Sequence, residues 1–317
     1  MTLPRLVATR LFDLCVVLFC VSVIVFCMIR FIPGDAVAIM LGANTEVTPE
    51  KVAALRARIG LDQPIVTQYL GWAGAALQGD LGKSLWTGRP VAEEIGLHVW
   101  PTVQLTVLAL ALGAGLAVPI GCVMANLRGR LGDTAMRVAS VIGLTVPSFW
   151  LGIVMILGLA TLAPSVQALG YVPFMQDPLG NITRLLLPAI ALALPILANL
   201  SRLVRSAMLD ALQQDYIRTA RAKGVPERGV LYRHALRNAL IPFVTSVGIM
   251  TGYLLGGAIV VEQVFAIPGL GRLILGAIAE RNYPLLQATI LVVTSGFVVV
   301  NFAVGLLYTA IDPRVRA

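Results

Sequence analysis

The sequence predicts an all-α integral membrane protein with six transmembrane helices and cytoplasmic N- and C-termini. Three observations carry this reading. Of 317 residues, 58% are hydrophobic and only 13% charged, with a mean hydropathy of +0.86; soluble domains carry about 25% charged residues. Six apolar runs approach the roughly 20 residues that a bilayer crossing needs. The basic residues gather between alternate runs rather than on one soluble face, so the net charge of +8 points to a membrane protein and not to a nucleic-acid binder.

The first run, Leu11–Ile29, follows Arg5 and Arg10 and has the outline of a signal peptide. It continues into Arg30, Pro33 and Asp35 with no small-x-small cleavage pattern, and it exceeds the 7–15 residues of a signal core. Residues 1–30 therefore read as a short tail and a retained span. Residues 31–98 form an extracytoplasmic helical insert. In it, Thr48 caps a helix that opens at Pro49 and Glu50 and carries Val52, Ala53, Leu55 and Ile59 on one face, until Gly60 stops it. A second helix starts near Pro64 and carries Tyr69, Trp72 and Leu77.

The region 99–311 supplies five more spans: Val99–Ala125, Val138–Ala163, Leu185–Leu200, Ala239–Val261 and Leu285–Ile311. The fourth span of the chain is interrupted by Pro188 and Pro195, which bend a helix and suit the wall of a pathway. It then runs on as helix through Ser201, Arg202 and Arg205. Two outer loops, 164–184 and 262–284, are rich in Pro and Gly, and residues 312–317 form a cytoplasmic tail. Trp100, Tyr283 and Tyr308 lie at span ends, where amphipathic rings favour the interface.

Charge sets the direction. With the N-terminus inside, the inner segments hold 15 Lys/Arg and 6 acids, and the outer segments 9 Lys/Arg and 10 acids. The inner face is thus +9 and the outer face −1, as the positive-inside rule requires.

Cys15, Cys20, Cys27 and Cys122 all fall in apolar runs, and only His98 and His234 occur. Neither a disulfide framework nor a metal site is supported. Gly82-Lys83-Ser84 invites a phosphate-loop reading, but the first glycine of that motif would fall on Leu77. Asp13 and Glu262 sit at span ends, neither of them deep, which leaves little for a proton relay. No catalytic constellation is present, so no enzymatic activity is expected of this chain.

The segment Asp215 to Pro242, DYIRTARAKGVPERGVLYRHALRNALIP, is the longest basic amphipathic stretch. Arg218, Arg221, Lys223, Arg228, Arg233 and Arg237 stand against only Asp215 and Glu227. It reads as two helices: one ends at Gly224, a natural left-handed stop, and Pro226 with Glu227 opens the next. From charge alone, such a segment could lie on anionic lipid or dock on a partner. Gly248, Gly252 and Gly256 recur every four residues on the fifth span and mark a close helix contact. No internal repeat supplies a mate for that stripe, so it is expected to meet a second chain.

Tyr-Ile-Arg-Thr-Ala-Arg-Ala-Lys-Gly followed by Arg-His-Ala-Leu-Arg-Asn-Ala-Leu-Ile-Pro resembles the cytoplasmic loop of permease subunits of ABC importers, in the dipeptide/oligopeptide/nickel branch. Similar family features are Arg-Phe-Ile-Pro-Gly-Asp (30–35), Gly-Leu-Asp-Gln-Pro (60–64), Gly-Asp-Leu-Gly-Lys-Ser (79–84), Pro-Ser-Phe-Trp (147–150) and Glu-Gln-Val-Phe-Ala-Ile-Pro-Gly-Leu-Gly (262–271). The ending Leu-Tyr-Thr-Ala-Ile-Asp-Pro-Arg-Val-Arg matches as well. Aligning the loop glycine of the family's Glu-Ala-Ala-x-x-x-Gly motif with Gly224 puts Arg218, Thr219 and Ala220 on its first three positions, so the Glu is absent here.

The resemblance implies a type I ABC importer permease, the first of two paralogous permeases. It also implies ATPase coupling through Asp215, Tyr216, Arg218, Thr219, Ala220, Arg221, Ala222, Lys223 and Gly224, within a loop spanning 207–238. The implied partners are a paralogous permease, two ABC ATPase subunits or one fused ATPase, an extracytoplasmic binding protein, and membrane lipid. ATP and Mg would be bound by the ATPases and no cofactor by this chain. The implied substrate is a di- or oligopeptide, with nickel or glutathione as alternatives; the remote alternative from another class is a proton-coupled secondary transporter, which would need a deep paired acid.

Overall fold

The computed structural model describes residues 3–31, 62–163 and 169–311. The helix expected between Thr48 and Gly60 and the tail 312–317 lie outside the described residues. Everything described is helical apart from turns and one isolated bridge, Lys83 with Pro90. The helices are α1 (Leu3–Phe31), α2 (Ile65–Leu77), α3 (Val91–Asn126), α4 (Leu131–Thr145), α5 (Ser148–Leu162), α6 (Pro178–Leu212), α7 (Asp215–Ala222), α8 (Leu236–Val264), α9 (Leu270–Ala279) and α10 (Tyr283–Ile311). Among the described residues, three helices are long and apolar enough to cross a membrane: Val91–Asn126, Pro178–Leu212 and Tyr283–Gly305. A shorter apolar stretch, Leu11–Cys27, lies inside α1.

Two expected spans are bent. The run Val138–Ala163 is not one rod: α4 and α5 meet at 99°. Pro147 forces the break, because its ring pushes Val146 out of the helical region, to φ −75° and ψ 120°. Each half has 15 residues and is about 22 Å long. Joined at that angle they reach about 29 Å end to end, close to the roughly 30 Å hydrocarbon core. The fifth run bends by 51° between Leu254 and Ala258, where Gly256 and Gly257 are adjacent.

The fourth run shows the opposite departure. Pro188 and Pro195 sit inside an unbroken 35-residue α6. Pro178 is its first residue, and the Asp177 carboxylate accepts the Gly180 N–H at 2.9 Å as a cap. Pro188 is buried beside Leu185, Ala189 and Leu192, so packing holds the helix together across the lost hydrogen bonds. At about 52 Å, α6 is far longer than the roughly 30 Å hydrocarbon core, and the basic loop follows its C-terminal end.

The main core joins α3 (Leu105, Ala109, Ala117), α6 (Leu185, Leu192, Ile196, Leu200) and the end of α8 with the turn after it (Leu254, Ala258, Val261, Phe265, Ile267). The α3–α6 pair is the most extensive in the molecule. Its intimacy comes from small residues: a Cβ on Gly113 would lie 2.9 Å from Ile196, and one on Gly121 would lie 2.6 Å from Val204 and 2.8 Å from the Ser201 carbonyl oxygen. A second cluster ties Val25 of α1 to Val91 and Ile95 of α3, Leu270 and Ile274 of α9, and Leu285 and Leu286 of α10.

The fifth-span glycines are used differently from expectation. A Cβ on Gly248 would strike Val304, and one on Gly252 would strike Phe297, both on α10 of the same chain; Gly256 has open space around it. Gly248 and Gly252 therefore seat the chain's own last helix, which corrects for these two the expectation that they meet a second chain; Gly256 touches neither of those side chains.

Candidate functional site

The loop between α6 and α8 is built on a rigid base. Cys122 and Ala125 of α3, Val204, Met208 and Ala211 of α6, and Ala235 and Ala239 at the start of the fifth run form a separate buried cluster. On this base sits α7. Its Ile217 and Ala220 are buried, while Asp215, Tyr216, Arg218, Thr219, Arg221, Ala222, Lys223 and Gly224 are exposed. Apolar residues three apart on one side of a short helix anchor it, and the opposite side is left exposed. Ile217 is the anchor that the expected set of loop residues omits, and Ala220, placed among the contact residues, faces inward.

Beyond α7 the chain reverses at Gly224, whose φ of +81° is left-handed and suits glycine. The reversal is clamped by an ion pair. The Arg221 guanidinium donates to Glu227 through Nη2 at 2.7 Å and Nε at 3.2 Å. The same guanidinium holds the Glu227 carboxyl below the usual carboxylate range. The Asn238 amide donates to the Tyr216 hydroxyl, tying α7 to the first turn of α8. Tyr232 is 58% exposed, and Arg228, Arg233 and Arg237 are exposed as well, which extends the exposed basic face beyond α7.

The second expected helix has no separate existence. Glu227–Gly229 leads through a π-helical turn, Val230–Ala235, directly into α8. The loop is thus α7 plus an extension of the fifth run. Two side-chain links join α7 to that run, Arg221 with Glu227 and Asn238 with Tyr216.

Other polar groups singled out in the sequence are structural. Ser84 of the Gly82-Lys83-Ser84 turn is buried, and its hydroxyl accepts from Asn282 at 2.8 Å. Trp86 Nε1 donates to the Glu280 carbonyl at 2.8 Å. These bonds pin the turn to the α9–α10 junction. Glu262, expected at a span end and not deep, is fully buried. It accepts from Thr102 Oγ1 at 2.6 Å and from the Arg272 N–H at 3.1 Å, while Thr102 Oγ1 accepts the Leu270 N–H at 2.8 Å. Gly271 passes so close that a Cβ there would lie 2.4 Å from the Ile259 Cα. Together these groups lock α9 onto α3 and α8. Asp13 is exposed. Among the described residues, no group of His, Cys, Asp or Glu could hold a metal ion.

Residues 117–317 match the family described as "Binding-protein-dependent transport system inner membrane component", and residues 3–90 match the N-terminal family of such membrane components. The chain is 40% identical over 99% of both sequences to a protein of Brucella abortus (strain 2308) named as a peptide transport system permease. It is 38% identical over 98% of both to the glutathione transport system permease protein GsiC of Escherichia coli (strain K12). Among solved structures, an inward-facing MetNI methionine ABC transporter aligns with a TM-score of 0.58 at 18% identity, covering 69% of this chain and 96% of that one.

Proposed function

The chain belongs to the inner-membrane components of binding-protein-dependent transport systems, as an ABC importer permease of the peptide/nickel family, and we propose that it forms half of a peptide-conducting pore driven by separate ATPases. As a permease it is a transport subunit rather than an enzyme. The observation that carries the mechanism is α7: a short helix anchored by Ile217 and Ala220, basic on its free side, and clamped to the fifth run through Glu227. In this reading α7 docks on an ATPase, which binds the ATP and Mg. A paralogous permease completes the pore, and an extracytoplasmic binding protein delivers substrate to the side bearing residues 31–98. ATPase closure moves α7, and the clamp passes that motion to the pore helices, shifting the chain between two access states.

The substrate is a di- or oligopeptide, glutathione included. The support is that relatives 36–40% identical are named as peptide permeases and one 38% identical as a glutathione permease.

The coupling role is tested in reconstituted vesicles by ATPase stimulation with loaded binding protein. Gly224→Pro imposes a φ near −65° where +81° is needed. The double change Arg221→Glu with Lys223→Glu opposes Glu227 with a like charge. Each is expected to lower stimulation and uptake about tenfold while the chain still inserts. Lys223→Glu alone leaves the clamp intact and separates docking from clamping. Normal stimulation and uptake in Gly224→Pro and in the double variant would remove the coupling role.

The direction proposed here places both termini, Arg130 and Gln213 in the cytoplasm, through six crossings in which α4 with α5 count as one. In a background lacking the four native cysteines, Gln78→Cys should react with a membrane-impermeant thiol reagent in intact cells. Gln213→Cys should react only after permeabilisation, and its labelling in intact cells would reverse the orientation.

A further inference from the structure

The molecule holds a recess of about 510 Å³ between α4 and α6, lined by Arg137, Leu144, Asn199, Arg202, Leu203, Arg205 and Ser206. Three guanidiniums meet there, and one carboxylate answers them. Asp133, itself buried, accepts from Arg205 Nε and Nη2 at 2.7 Å each and lies 3.7 Å from Arg137 Nε. Arg205 is thereby fixed in place. The side chains of Arg202, Asn199 and Ser206 make no hydrogen bond or ion pair among the described residues. The site thus carries an excess of two positive charges and several uncommitted donors. Its chemistry changes with depth: Leu144 lies seven residues, about 10 Å, further along α4 than Arg137. Basic groups at one end, Leu144 at the other and Leu203 set among the arginines fit an amphiphile better than a small hydrophilic ion.

We propose that this recess binds the phosphate of an anionic phospholipid headgroup, with Arg202 and Arg137 as its principal ligands and the acyl chains running past Leu144 and Leu203. A planar guanidinium grips a phosphate through two parallel N–H bonds, and basic pockets between spans on the cytoplasmic side suit such headgroups. The Asp133–Arg205 pair orients the site and lowers its net charge from three to two, of which one phosphodiester balances half. The proposal rests on the inward-basic orientation given above, which the Gln213→Cys labelling tests on its own.

The test uses the assembled transporter in nanodiscs of equal parts phosphatidylethanolamine and phosphatidylglycerol, with lipid retained after disc removal read by native mass spectrometry. Wild type should keep phosphatidylglycerol in preference to the zwitterionic lipid. Retention should fall about fivefold in Arg202→Ala and about 25-fold in Arg137→Ala with Arg202→Ala, from the loss of one and two basic contacts. Arg202→Lys should lie between Arg202→Ala and wild type, because it keeps the charge but loses the fork. Arg202 is exposed and unpaired among the described residues, so its single replacement leaves folding intact. Equal retention by wild type and the double variant overturns the proposal, as does equal retention of both lipids. Displacement by inorganic phosphate alone would assign the recess to a free anion instead. Retention is read without turnover, so its loss is distinct from a failure of transport.

Discussion

Gly121→Leu is expected to abolish accumulation of folded protein in the membrane. The Cβ would enter 2.6 Å from Val204 Cβ and 2.8 Å from the Ser201 carbonyl oxygen. Neither the Val204 Cβ, which stays put whatever its χ1, nor a backbone oxygen of α6 can rotate away from such a contact. Overpacking a core costs about 1–3 kcal/mol when neighbours can yield, and here leucine adds three more carbons where they cannot. The cost should be about 3 kcal/mol or more, borne by the α3–α6 pair that holds the main core and the base of the basic loop. Fluorescence-detected size exclusion of a tagged chain gives the readout. Gly115→Leu, on the same helix but with open space around it, is the control and should give the wild-type peak. Equal peaks for both variants would mean that α3 and α6 are not in close contact.

Glu262→Ala should be the most damaging change to a single polar side chain. It strips the acceptor from the Thr102 hydroxyl and the Arg272 N–H and empties space in a fully buried position. Each orphaned buried donor costs about 1–3 kcal/mol, so a loss of about 3–5 kcal/mol is expected. The apparent melting temperature of the purified complex should drop by about 10 °C. Glu262→Gln keeps one acceptor oxygen and should fall between the two. No drop in Glu262→Ala would show that the network carries no stability.

What the sequence made legible was local. The apolar runs at 11–29, 99–125 and 285–311 announce α1, α3 and α10 because twenty apolar residues in a row have few other fates. The helix carrying Tyr69 and Trp72, and the left-handed stop at Gly224, follow from caps and glycine alone. The elbow between α4 and α5 was also written in the chain, at Pro147, but hydropathy averages across it. What depended on distant partners was lost. Gly113, Ala117 and Gly121 have the same four-residue spacing as Gly248, Gly252 and Gly256; such spacing announces a close approach without saying to what. Glu262 looks like a span-end acid until Thr102, 160 residues earlier in the chain, is brought beside it. In the loop the charges drew the eye, and Ile217, the residue that seats α7, carries no charge.

The elbow at Val146–Pro147 bears on how well the protein insulates. Pro147 has no N–H, so the Gly143 carbonyl has no i+4 donor, and the first amides of α5 likewise lack partners within their helix. The Ile142 carbonyl alone is doubly served, by the Val146 N–H and the Thr145 hydroxyl. Bare backbone dipoles in hydrocarbon cost several kcal/mol each. This corner must therefore meet water or another polypeptide rather than lipid tails. If water reaches it, the low-dielectric stretch that holds back ions is shorter there by the depth the water penetrates.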